Sequence, residues 1–367
     1  GYLHFDFRRF NPSRFGQGNT MTSKCLIIGD THYDTKCEGY LENQVDSTIR
    51  IIKEHKPTHL IFLGDIYHHR KPLPEVIVAV QKMFFTIRML VENVYILRGN
   101  HDSANKSDDG LTCLETLSYP GSNVTLIQHT FLDTKENMLF IPHYEKEDII
   151  QGSLSLAPNS ETLVFGHFGF AGCLNGAGFH DSSLEPKEFK NTTILGHIHR
   201  YEKEDNVTVL GTPWSTNYGE CDYDHVVGIL EKKKGKWGSL TTHKVTIGPR
   251  YYVCPMESLE VMKEEIKDPN YFTLLRVIVD RFSDDSTPNL KAEILKTYSV
   301  ASVDLKFQPV YDKMLNNRLS NYDPNVPISD IDNDVIEKYI EEQASSIPRE
   351  ALQEGLDLIK TYEDTED

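Results

Sequence analysis

The sequence predicts a layered α/β fold, and three observations carry that expectation. Short runs of Val, Ile, Leu and Phe recur through roughly the first 250 residues, each closing on Gly or Arg-Gly and passing at once into polar residues. Continuous apolar runs of this length suit strands buried on both faces. Helical patterns lie between the early runs, the alternation expected of layered α/β proteins. The polar residues that close the runs are Asp, His and Asn, and the carboxyl ends of strands are where such sheets gather their ligands.

The elements follow in order. Residues 25–28 form the first strand and lead into Gly29-Asp30-Thr31-His32. Val45, Ile49 and Ile52 share one face of a helix behind it. Residues 60–63 lead into Gly64-Asp65-Ile66-Tyr67-His68, and residues 74–92 read as a helix with Pro74 in its first turn. Residues 94–97 lead into Arg98-Gly99-Asn100-His101-Asp102. Residues 163–165 lead into Gly166-His167, residues 193–195 into Gly196-His197-Ile198-His199, and residues 207–210 into Gly211-Thr212-Pro213.

After Gly248-Pro249 the texture changes. Residues 271–280 read as a strand, 289–298 as a short helix and 300–309 as an alternating strand, together a small α+β unit. Residues 323–327, Asp-Pro-Asn-Val-Pro, read as a linker. Two short helices follow, the first with Val335 and Tyr339 on one side, the second with Leu352, Leu356 and Ile359 at i, i+4 and i+7. The expected organisation is an extension or tag over 1–20, a main domain over 21–250, a small domain over 251–316, a linker over 317–330 and a helical segment over 331–367.

Composition narrows the function. The chain has 367 residues, 39% hydrophobic and 25% charged, which describes a globular protein of about two domains. Its six cysteines form no CxxC pair, which argues against a disulfide framework or a zinc ribbon and for a reducing cytoplasm. No apolar run approaches the ~18 residues of a membrane span. The net charge of −17 excludes nucleic-acid binding by a basic surface alone. It leaves room for an enzyme that meets phosphate through bound cations. Residues 331–367 carry −9 of that charge, so the acidity concentrates away from the motifs.

A lone His after a strand is more often packed or solvent-facing than a ligand. Here five strand ends carry D-x-H, G-D-x-x-H, G-N-H-D, G-H and G-H-x-H in order, and Asp, His and Asn together suit a pair of borderline divalent ions. The series resembles the calcineurin-like metallophosphoesterases over roughly residues 24–215. The resemblance implies a β-sandwich flanked by helices, holding two divalent ions, manganese foremost with magnesium as the alternative. One ion would be held by Asp30, His32, Asp65 and His199. The other would be held by Asp65, Asn100, His167 and His197, with Asp65 as the bridge. Such a pair activates a water for in-line attack and clamps the phosphoryl oxygens.

Within that superfamily, G-D-x-x-H at the second motif is similar to the SbcD-like DNA repair nucleases, phage-encoded ones included. The protein phosphatases place an Arg-bearing GDxVDRG there instead. The SbcD-like resemblance implies that His68 faces the phosphate, assisting the leaving oxygen or stabilising charge. It further implies that His101 touches the phosphate and that Asp102 orients His101. It also implies a capping domain, a helical segment docking on an SbcC-like coiled-coil ATPase, and a two-plus-two assembly around a nuclease homodimer. The substrates implied are duplex ends, single strands and hairpins, in the cytoplasm or, for a phage protein, the host cytoplasm. Two other readings stay open: a calcineurin-like phosphomonoesterase or small-molecule diesterase, and a non-catalytic scaffold tethering the ATPase to DNA.

Several features have two readings each. His69 and Arg70 contact a DNA phosphate or face solvent. Lys232 and Lys233 sit in a basic hairpin that is a solvated turn or a DNA backbone contact. The face of Leu352, Leu356 and Ile359 packs on the cap or docks on the partner. His143 is expected to be structural.

Overall fold

The computed structural model describes residues 23–105, 111–119, 121–175, 178–179, 182–279 and 287–307. The expected extension over 1–20, the linker and the helical segment, with Val335, Tyr339, Leu352, Leu356 and Ile359, lie outside the described residues.

The apolar runs become two facing sheets. The first contains β1 (Ser23–Ile28), β2 (His59–Phe62), β3 (Asn93–Leu97), β4 (Val124–Ile127), β13 (Val226–Lys233), β14 (Lys236–Trp237) and β15 (Thr241–Lys244), in the order β14-β13-β1-β2-β3-β4, with β15 also on β13. The second contains β5 (Phe131–Asp133), β6 (Met138–Ile141), β7 (Leu163–His167), β10 (Thr193–Gly196), β11 (Glu202–Glu204) and β12 (Val207–Val209), ordered β11-β12-β10-β7-β6-β5. The central strands β1 to β4 run parallel, as do β6, β7, β10 and β12, with antiparallel neighbours at the margins. A two-stranded ribbon, β8 (Leu174–Asn175) and β9 (Gly178–Phe179), lies apart.

Period-two alternation explains why the runs are apolar throughout. Cys25, Ile27, Ile61, Leu63 and Leu97 point to the second sheet and meet Met138, Phe140, Phe165 and Ile194. Their neighbours Leu26, Ile28, Leu60, Phe62, Val94 and Ile96 point the other way, onto α1 (Tyr40–His55) and α2 (Pro74–Leu90). The outer face of the second sheet, Leu139, Ile141, Val164 and Leu195, packs under Ile150 of α3 (Glu147–Leu154) and under Phe168, Phe170 and Phe189. Every central strand is thus buried twice.

The buried face of α1 differs from the expected apolar stripe. Val45 and Ile49 are half-buried at its flank, while Leu41, Gln44, Thr48, Ile51 and Ile52 form the inward face. Polar Gln44 and Thr48 belong inside because they hold backbone and side chain after β1. Gln44 donates to the Thr31 and His32 carbonyls and accepts from the Asp34 amide, and Thr48 lies 2.6 Å from the Tyr33 hydroxyl.

The small unit is a parallel three-stranded sheet of β16 (Gly248–Pro255), β17 (Tyr271–Val279) and β18 (Ser302–Phe307), with α4 (Lys263–Ile266) and α5 (Thr287–Tyr298). Its core joins Leu275 and Val277 to Ile266, Ile294 and Tyr298. A second cluster, Tyr40, Tyr251 and Leu274 with Tyr218 and Phe272, ties it to the start of α1 and to the 3₁₀ turn Tyr218–Glu220. No helix among the described residues is long and apolar enough to cross a membrane.

Candidate metal centre

Because the central strands of each sheet are parallel, their carboxyl ends open on the same side, and the motif residues meet there. Asp30 follows β1, Asp65 follows β2, Asn100 follows β3, His167 ends β7, and His197 and His199 follow β10. Backbone hydrogen bonds zip the first two loops together, from His32 to the Asp65 carbonyl, Tyr33 to the Ile66 carbonyl and His68 to the Tyr33 carbonyl.

All seven expected ligands converge. His32 Nε2 lies 2.9 Å from His199 Nε2 and 3.6 Å from Asp65 Oδ2. His167 Nε2 lies 3.4 Å from Asp65 Oδ1 and 3.1 Å from Asn100 Oδ1, which is 3.0 Å from His197 Nδ1. Asp30 Oδ2 accepts the His197 amide at 2.8 Å, and Asp65 Oδ1 accepts the His101 amide at 2.8 Å. Two carboxylates and several imidazoles face one another in a buried space, with Asp30, Asp65 and His167 at most 2% exposed.

The backbone accepts a cost to achieve this. His32, Asp65 and His197 have φ of 46°, 48° and 83°, the left-handed region that costs a side chain about 1–3 kcal/mol and clusters at functional sites. Gly64 has φ 110°, and a Cβ there would collide with His167 Nδ1. A Cβ on Gly99 would strike the Asp65 carboxylate and backbone. The glycines that close the apolar runs therefore make room for the ligand side chains themselves.

The donor set fits divalent cations. His167 Nδ1 hydrogen-bonds the Leu63 carbonyl at 2.7 Å and His199 Nδ1 the Glu220 carboxylate at 2.7 Å, which aims each Nε2 at the cluster. Asp30 Oδ1 is buried without a hydrogen-bond partner among the described residues. Two nearly touching imidazole nitrogens and a carboxylate oxygen without a hydrogen bond are an arrangement that a cation relieves.

Electrostatics point the same way. Burial raises the Asp65 carboxyl, but His167, His32 and His101 outweigh it and hold the group well below the usual carboxylate range. Burial pushes Asp30 up, partly countered by His167. Burial depresses His167, yet Asp65 and Asp30 beside it lift it to about 9. Burial also holds His32 well below its ordinary value.

Glu220 was not legible as a functional residue. It lies 21 positions beyond His199 with no motif around it, yet it is buried and accepts from the Thr216 amide and hydroxyl and from Asn217 as well as from His199. His143, expected to be structural, has its ring 5.7 Å from His197 and 6.2 Å from His167, at the rim of the cluster.

Other expectations need correction. Asp102 does not orient the His101 ring. Its carboxylate accepts the amides of Gly99, Ile66 and Tyr67, clamping the loops after β2 and β3 together, while His101 Nδ1 lies 2.5 Å from the His68 carbonyl. Arg70 does not face solvent freely; it donates to the Ser103 and Asn105 carbonyls. It nevertheless lines a groove of about 350 Å³ beside Asn100, His143, Tyr144 and His197. His69 is 60% exposed and stands 3.7 Å from Asp34. Lys232 pairs with Ser23 in register, and β13 runs antiparallel to β1, so Lys232 and Lys233 sit at the opposite end of the sheet, roughly 20 Å from the cluster at ~3.3 Å per residue. Lys232 is there bound to Glu136 at 2.7 Å.

A calcineurin-like phosphoesterase model matches residues 23–271, about two thirds of the chain. The chain belongs to that family, and its buried Asp and His groups are those of a metal-dependent phosphoester hydrolase. Among solved structures it is similar to the nuclease MPE of Pseudomonas putida, at 18% identity and a TM-score of 0.28, covering 48% of this chain and 62% of that one. The chain thus spans less than two thirds of that nuclease's length, a likeness too distant to bear on activity. No curated protein matches.

Two outcomes follow for ion binding. Glu220→Ala leaves His199 without its anchor and is expected to weaken manganese binding about 10–100-fold, read by calorimetry; unchanged affinity would remove Glu220 from the site. The proton that Asp65 and Asp30 hold on His167 must leave before its Nε2 can ligate. Affinity should therefore rise as pH increases towards about 9, with a binding enthalpy that depends on the buffer's ionisation heat. A buffer-independent enthalpy would contradict this.

Proposed function

We propose that this chain is a two-metal DNA phosphodiesterase, manganese-using, that processes DNA ends in the cytoplasm as the nuclease partner of an SbcC-like ATPase. The observation that carries the reading is the placement of His68 and His101. Their rings stand 5.3 and 5.0 Å from His32 and 5.9 Å from each other, and His68 stands in the second motif, whose phosphatase form carries an Arg one position further on. Imidazoles suit a phosphodiester, which carries one charge and needs less cationic grip than a phosphomonoester.

Asp30, His32, Asp65 and His199 would hold one ion, and Asp65, Asn100, His167 and His197 the other. Bound there, divalent ions supply a water of lowered pKa and positive charge for the phosphoryl oxygens. The chain's own groups do the rest. Burial, then Lys36, push His68 down to about 4, so at neutral pH it meets the phosphate as a neutral hydrogen-bond donor, not as a protonated acid. The groove beside Asn100, flanked by Arg70, His143 and Tyr144, gives the substrate chain a path past the ions. Glu220 and Leu63 keep the imidazoles aimed.

The assembly rests on separate support. The outer face of α2 exposes Val78, Phe85 and Met89 at 45–48%, an apolar stripe that suits a nuclease homodimer. The three-stranded unit is assigned as the cap and residues 331–367 as the ATPase-docking segment. All six cysteines are free, in keeping with a reducing compartment.

The test compares manganese-dependent release of nucleotides from a labelled DNA duplex with hydrolysis of p-nitrophenyl phosphate. Activity on DNA that drops by about 10²-fold or more in His68→Ala is expected, on the scale of one catalytic imidazole. Hydrolysis of the monoester alone would sink the nuclease reading.

A further inference from the structure

A second cluster of metal-binding side chains lies beside the centre and includes none of the seven ligands. One ligand atom each of Asp34, His68 and His69 fall within 4.8 Å of one another. Asp34 is 93% buried, with its side chain 7% exposed. Its amide is held by buried Gln44, which fixes the position of the carboxylate. Its Oδ2 lies 2.7 Å from Lys36 Nζ and 3.7 Å from His69 Nε2. His68 Nδ1 is buried with no hydrogen-bond partner among the described residues.

We propose that Asp34, His68 and His69 form a third cation site, for a zinc-like transition-metal ion that exchanges with the Lys36 ammonium. Two imidazoles and a carboxylate are a common donor set for such ions. Tetrahedral bonds of ~2.1 Å place ligand atoms ~3.4 Å apart, so the 3.7 Å between Asp34 Oδ2 and His69 Nε2 needs only a small closure. His69 is 60% exposed, and its ring packs edge-on against His68 at 4.7 Å, so it turns beside its neighbouring ligand at little cost in packing. The carboxylate already carries a cation, and that cation sits on a side chain 30% exposed, able to swing into solvent.

The site gives His68 a second attachment. A ligating nitrogen must be unprotonated, and coordination fixes the ring. Cation concentration would then govern the orientation of the group assigned to the phosphate. That consequence rests on the role proposed for His68; the site itself does not.

Equilibrium dialysis of the full chain against micromolar zinc tests the site. His69→Ala and His68→Ala are each expected to lose one ion relative to the unaltered protein. Lys36→Gln, by removing the competing charge, is expected to tighten that ion roughly threefold or more. No ion lost in His69→Ala, with its fold confirmed by circular dichroism, overturns the third site. The two-ion centre is read independently, from the two ions that should remain in His69→Ala.

Discussion

Burying two carboxylates between two sheets is the constraint on which this structure turns. Asp30 and Asp65 are 0% and 2% exposed, and an uncompensated buried charge is costly. Each takes one backbone amide, from His197 and His101, and each faces imidazoles. Hydrogen bonding among the described residues stops short at Asp30 Oδ1, which has the His167 imidazole at 3.7 Å, and a bound cation would complete it. The surrounding features serve the same constraint. Gly64 and Gly99 leave space where any Cβ would collide, left-handed turns at His32, Asp65 and His197 aim the donors inward, and Asp102 locks two of the loops by their amides.

What was legible in the sequence is what is local along the chain. Each strand end announces itself because the apolar run, the glycine and the ligand are consecutive, and the two-faced burial of the strands makes the runs conspicuous. Glu220, Gln44 and Thr48 were not legible, because what defines them is a partner far along the chain or on another element. Gln44 and Thr48 even disguised the inward face of α1, where an apolar stripe was expected. Asp102 was misassigned because adjacency to His101 says nothing of where its carboxylate points. Lys232 and Lys233 read as a solvated turn or a DNA backbone contact, and only the antiparallel course of β13, which depends on its distant partner β1, shows that they lie at the far end of the sheet from the cluster.

The three-stranded unit is physically connected to the metal centre. Tyr251 of β16 meets Tyr218 edge-to-face at 4.8 Å, and Arg276 of β17 lies over the same ring at 3.9 Å. Tyr218 begins the short turn that ends in Glu220, and Glu220 anchors His199. A change in the packing of that unit therefore reaches His199 of the candidate centre through three contacts. This accounts for the aromatic residues concentrated at Tyr40, Tyr218, Tyr251 and Phe272, which act as a firm joint between the two parts.

The central claim is that Asp65 joins two cations at the shared end of the two sheets. Anomalous diffraction from manganese-soaked crystals tests it most directly. The proposed two-metal reading predicts two manganese peaks, both in contact with Asp65, one also reached by His32 and His199 and the other by Asn100, His167 and His197. A single peak, or two peaks of which one does not touch Asp65, would contradict the account.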